Sequence, residues 1–289
     1  MTRGRRTGSR TALRSRGSAR TAGSRSTRAR GRPEPRGGAR DRAPPGAVRA
    51  ALREVGEGAT RAVVGWQRWH EILFLHWPVA PAALRGHVDG RLELDLAEGR
   101  AWVSLTPFTM RDARVRGLPP LPFLSAFHEM NLRTYVRAAG VPGIWFFSLD
   151  AVSAPAAALA RAALGLPYFV ARMARSTSGS THRYDSERLA PGPRPATFHA
   201  TWSVGGALPD SPGALDEFLA DRHALYSTIA GALVRVRVRH PPWLLREARL
   251  EALDQTVTRA ASIDVPERPA LARFSEGVEV QVLAPEAVR

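Results

Sequence analysis

The chain has 289 residues, 44% of them apolar, and a formal charge of +16, which allows one large or two ordinary domains with a substantial core. All 42 basic residues are arginine and cysteine is absent. That excludes a Schiff-base lysine, a P-loop lysine, a thiolate nucleophile, disulfides and cysteine-held metal or iron–sulfur sites.

The charge is concentrated at one end. Residues 1–50 carry 15 arginines against Glu34 and Asp41, a net of +13, leaving +3 for residues 51–289. Residues 1–46 hold no hydrophobic period and cannot bury enough surface to offset their ordering entropy, so a disordered arginine-rich tail is expected there. Its composition fits a nucleic-acid or acidic-lipid arm, a transit peptide, a plain solvated tail, or a start codon placed too far upstream. Residues 47–65 read as a short helix or linker, and a single domain is expected over 66–285. No run of 18 apolar residues and no signal-type apolar core occur, so a cytoplasmic location without membrane contact is the expectation.

From Trp66 onward, short alternating segments are separated by turn residues, the pattern of strands. Those expected run over Arg91–Leu96, Ala101–Met110, Phe127–Val136, Ile144–Asp150, Tyr168–Arg175, Thr181–Ser186, Ala196–Val204, Ala224–Ile229, Leu233–Arg239 and Val278–Leu283, and the GVPG at 140–143 reads as a hairpin turn. Helices are expected over Pro81–His87, Pro155–Leu164, Pro212–Ala220 and Leu250–Ala261, three of them opening on a proline, which suits the first helical turn. Many strands with few short helices and no βαβ rhythm make the chain mainly β (α+β), one curled antiparallel sheet or barrel.

The strand at 127–136 carries the most chemistry. Its odd positions, Glu129, Asn131, Arg133 and Tyr135, share one face and its even positions the other. The polar face either meets solvent, as in an open antiparallel sheet, or lines a barrel lumen as a binding stripe. His70 and His76 stand about 20 Å apart on a strand, too far for one ion. With eight dispersed histidines and no cysteine, no metal and no cofactor are expected. Arg235, Arg237 and Arg239 form either a phosphate stripe or a charge-guarded solvent face.

Taken together, WQRWHEILFLHWPV (66–79), ALRGHVDGRLELDLAEGRAWVSLTPFTMRDAR (83–114), GLPPLPFLSAFHEMNLRTYVR (117–137), GVPGIWFFSLDA (140–151) and LGLPYFVARM (164–173) resemble the YqjF-like family, a bacterial domain of unknown function. That family is in turn similar to acetoacetate decarboxylase, which implies a cone-like antiparallel β-barrel around a closed cavity. In the decarboxylase two adjacent lysines follow the proline of the G-L-P junction; here Tyr168 and Phe169 stand there, so the amine needed for an imine is gone. The resemblance aligns Glu129 with the decarboxylase's cavity glutamate and implies that Glu129, Asn131 and Arg133 face inward.

Three functions follow as expectations. The first is binding of a small carboxylate or carbonyl compound, with Arg133 on the carboxylate, Tyr168 donating a hydrogen bond, Trp145 and Phe147 as apolar walls and Arg172 on the Tyr168 face. The second is acid–base catalysis by Glu129 with Tyr168. The third is nucleic-acid association through the tail alone. Oligomeric state and ligand identity stay open.

Overall fold

The computed structural model describes residues 61–121, 124–192, 196–209 and 213–288. The tail expected over 1–46, all but the last residues of the 47–65 linker, and Pro212 lie outside the described residues.

In chain order the elements are β1 (Val63–Val79), α1 (Pro81–Arg85), β2 (Glu93–Leu94), β3 (Ala101–Val115), β4 (Phe127–Ala138), β5 (Val141–Ala151), α2 (Ala154–Leu164), β6 (Tyr168–Ser178), β7 (Thr181–Ala190), β8 (Thr197–Ala207), α3 (Ala214–Ala220), β9 (Ala224–Ile229), β10 (Ala232–Arg239), β11 (Arg246–Gln255), α4 (Val257–Ala260), β12 (Leu271–Leu283) and β13 (Glu286–Ala287). Nine of the strands close on themselves in the order β1-β3-β4-β5-β6-β7-β8-β11-β12 and back to β1. The β9–β10 hairpin then spans from β5 to β12, so β1, β3, β4, β5, β9, β10 and β12 form a second closed ring.

Two interiors result, and the wall they share alternates between them. Even residues of β4, Met130 and Leu132, join a core with Leu73, Trp77, Tyr184, Phe198 and Trp202. The opposite face of the same wall meets the hairpin side, where Ile72, Phe74, Phe108, Val238, Trp243 and Val280 pack. A strand covered on both faces has no wet side, which removes the solvent reading of Glu129, Asn131 and Arg133: they are only 3%, 6% and 6% exposed.

Local chemistry explains most boundaries. Ser153 caps α2 by accepting a hydrogen bond from the Ala156 N–H, and Gly165 ends the helix in a left-handed conformation at φ 62°, the usual role of glycine there. The β4–β5 hairpin turns on Ala139 and Gly140, both at positive φ, as a two-residue turn requires. The turn expected over 140–143 therefore sits earlier, at 139–140, and Val141, Pro142 and Gly143 already belong to β5.

Two expectations are corrected. Leu250–Ala261 is not a helix: its first part belongs to β11, paired with β8, and only Val257–Ala260 is helical. Leucine, alanine and glutamate are good helix formers, but propensity is worth only tenths of a kcal/mol per residue and the partner strand overrides it. Of Arg91–Leu96, only Glu93 and Leu94 form a strand. Two arginines of the β10 stripe are paired, since Glu286 accepts hydrogen bonds from Arg235 at 2.5 Å and Arg237 at 3.1 Å.

Candidate functional site

The second ring surrounds a partly open cavity of ≈ 100 Å³. Its wall is apolar for the most part, from Trp69, Phe108, Ile144, Phe146 and Val238 among others, and its polar groups are Gln67, Glu129, Asn131, Arg133, Tyr168, Arg222 and His240.

Glu129 and Tyr168 arrive from different strands. Antiparallel pairing sets Glu129 opposite Ala151 of β5, and parallel pairing sets Leu149 opposite Tyr168 of β6. The phenol then donates to Glu129 Oε2 at 3.0 Å. Burial pushes the Glu129 carboxyl up from 4.5 to about 8; the Tyr168 hydrogen bond opposes this and the Asp150 carboxylate adds to it. Desolvation wins because one neutral donor replaces only part of a carboxylate's lost hydration. Glu129 is therefore mainly protonated at neutral pH, and burial together with Glu129 holds the Tyr168 phenol well above its ordinary value.

Arg133 stands four residues further along the same face. Its Nη2 donates to the Leu219 carbonyl at 3.3 Å, its Nε is buried with no partner, and its guanidinium lies 5.8 Å from the Phe74 ring. Desolvation lowers its pKa, and no carboxylate counts among the groups acting on it; an arginine nonetheless keeps its charge. Arg222, the cavity's other guanidinium, is matched: it donates to Asp95 Oδ2 at 2.6 Å and stacks 4.1 Å from Phe218. Among the described residues the cavity thus carries one uncompensated positive charge beside a neutral acid. Asn131 is turned to its neighbour, its Oδ1 accepting from Thr106 Oγ1 at 2.5 Å.

The other three residues expected at the site are elsewhere. Trp145 and Phe147 face a surface groove with His87, and Trp145 Nε1 donates to the His87 carbonyl at 3.2 Å. Ile144 and Phe146 take the wall positions instead, since β5 residues opposite Tyr135 and Arg133 are Ile144 and Phe146. Arg172 is exposed and donates to Glu187 at 2.9 Å. Arg222 and His240 had no local signal, being single residues outside any alternating strand face; only the β9–β10 hairpin brings them to the cavity.

A family model described as "Uncharacterized conserved protein", DUF2071, matches residues 66–279. The uncharacterized protein YqjF of Bacillus subtilis (strain 168) is 40% identical over 215 residues, 74% of this chain and 88% of that protein. Among solved structures, an acetoacetate decarboxylase-like enzyme from Sphingomonas wittichii RW1 superposes with a TM-score of 0.57 at 15% identity, covering 80% of this chain and 94% of its own. The enduracididine biosynthesis enzyme MppR complexed with pyruvate superposes at 0.56 and 16%, covering 81% and 94%. At such identities the two structures establish a shared fold.

Proposed function

The chain belongs to the DUF2071 family, and from the site it carries on an acetoacetate decarboxylase-like fold we propose that it binds a small carboxylate or carbonyl compound in the cavity of the second ring, without forming an imine. The observation that carries this reading is Arg133, buried at 6% exposure with its Nε unpartnered. A buried cation without a counterion costs several kcal/mol, which an entering carboxylate would offset by bidentate pairing. With Glu129 protonated, the acid offers a donor rather than a repelling charge. The small cavity suits a compound of pyruvate's size, and pyruvate is the molecule held by the MppR structure of this fold. Imine chemistry is absent from the proposal because the 289 residues contain no lysine.

The test is calorimetric titration of a 2-oxo and simple carboxylic acid panel into wild type and Arg133→Met. At least one acid binds the wild type, and the variant loses about 2 kcal/mol or more of that affinity, the scale of a charge-assisted pair. Methionine fills the space without charge, so the variant's thermal midpoint stays level or rises. Equal binding by both proteins refutes the assignment.

A second reading, proton transfer to or from a bound carbonyl compound, is favoured by Glu129 lying near 8, where acid and base forms are both accessible at working pH. Turnover of a 2-oxo acid by the wild type that disappears in Glu129→Gln would select it; binding without turnover selects the first.

A further inference from the structure

A cluster that neither reading uses lies where the β9–β10 hairpin joins α3. Asp221 follows the last residue of α3, His223 precedes β9 by one residue and His240 follows β10 by one. The hairpin register, with Arg237 opposite Ala224 and the Val238 N–H donating to the His223 carbonyl at 2.9 Å, carries both histidines to the hairpin's open end. Their rings stack with centroids 4.4 Å apart and planes 22° apart. His223 Nε2 lies 3.1 Å and His240 Nδ1 4.0 Å from Asp221 Oδ1.

We propose that Asp221, His223 and His240 form a binding site for a divalent transition-metal ion at the edge of the cavity. Each offers a donor atom within 4.8 Å of the other two. Two ligands about 2.0–2.2 Å from one ion stand roughly 3–4 Å apart, the range of both separations measured from the carboxylate. Two imidazoles and one carboxylate are the donor set of borderline ions such as Zn²⁺ or Co²⁺, and three protein ligands leave a position open.

An ordinary hydrogen-bonded histidine explains less. The ion pair of His199 with Asp185, 2.7 Å apart, has one ring, and its carboxylate is also held by Arg183. Here a second imidazole, 4% exposed, is packed on the first with no acid of its own. Each ring keeps a buried nitrogen without a protein partner, His223 Nδ1 and His240 Nε2. His240 Nδ1 is also 2.9 Å from the Pro241 carbonyl; an incoming ion either displaces the proton held there or engages Nε2. Asp221, with 39% of its side chain exposed, gives the ion a path from solvent. Because His240 and Arg222 also line the cavity, the open position lies beside the space assigned to the organic ligand, yet the ion's binding does not depend on that assignment.

The experiment uses the full chain without a histidine tag, stripped with chelator and titrated with Co²⁺, followed by visible absorption and then by Zn²⁺ competition. One Co²⁺ per chain is expected, with ligand-field bands that Zn²⁺ abolishes. Asp221→Asn and His223→Gln, both at the solvent edge, each weaken binding by more than the roughly 10–100-fold that losing an outer-shell partner costs. His199→Gln, at the exposed pair, leaves binding unchanged. Failure to saturate at one ion per chain, or unchanged affinity in the double variant Asp221→Asn/His223→Gln with its thermal midpoint intact, overturns the site.

Discussion

Replacing Glu129 with glutamine changes how stability depends on pH, and the sign follows from the direction of its shift. The folded carboxyl titrates near 8, against 4.5 for the unfolded chain. Between those values the folded protein holds one more proton than the unfolded one, so rising pH favours unfolding. Each pH unit in that window removes about 1.4 kcal/mol, on the order of 4–5 kcal/mol across it. Glutamine has the same shape, accepts the Tyr168 hydrogen bond and never ionises. Urea denaturation of both proteins from pH 4.5 to 8.5 should therefore show the wild type losing several kcal/mol relative to Glu129→Gln as pH rises. All other titrating groups are common to both and cancel in the difference. Parallel stability curves would refute the burial argument, and with it the claim that the cavity acid is neutral at pH 7.

Three further outcomes follow from the same contacts. The Tyr168 hydrogen bond holds the Glu129 pKa down, so Tyr168→Phe moves the carboxyl's midpoint upward in a carbon-13 NMR titration; a downward move refutes the bond's role. Arg188 donates to Asp150 at 2.6 and 3.0 Å with both side chains buried, and Arg188→Leu strands that carboxylate at a cost of about 3–5 kcal/mol by denaturation, a loss that shrinks as acid protonates Asp150. Gly165 sits at φ 62° with the Thr228 carbonyl where a Cβ would stand, so Gly165→Ala destabilises the fold by more than the roughly 1 kcal/mol of a strained backbone alone and lowers the thermal midpoint accordingly; an unchanged midpoint refutes the close approach.

What could be read in the chain divides along a physical line. Strand formation is a local pattern: Ala224–Ile229 was legible to the residue, and most other strands differed only in length. Leu250–Ala261 misled because its composition suits a helix while its pairing with β8 decides the outcome. The grouping of Glu129, Asn131 and Arg133 on one face follows from alternation alone. Whether that face is wet depends on the β9–β10 hairpin closing over it, a contact with segments some hundred residues distant. Tyr168 entered through resemblance at the G-L-P junction, and alternation by itself could not have paired it with Glu129. Trp145 and Phe147 were chosen for aromatic character, whereas cross-strand pairing, which sets odd residues of β4 against even ones of β5 near the turn, selects Ile144 and Phe146. His223 and His240 match no metal-site spacing, and only the hairpin register makes them neighbours.

The β5–α2–β6 passage makes two consecutive aromatic residues answer to opposite sides of one wall. Tyr168 meets Glu129 within, while Phe169 lies under the Arg188 guanidinium at 3.9 Å. Because strand side chains alternate, deleting or inserting a single residue between Gly165 and Tyr168 would exchange them. The benzyl ring would then face the acid and the hydroxyl would be stranded beside the Asp150 pair, so the length of the Gly165-Leu166-Pro167 bridge governs the cavity's polarity as strictly as any side chain within it.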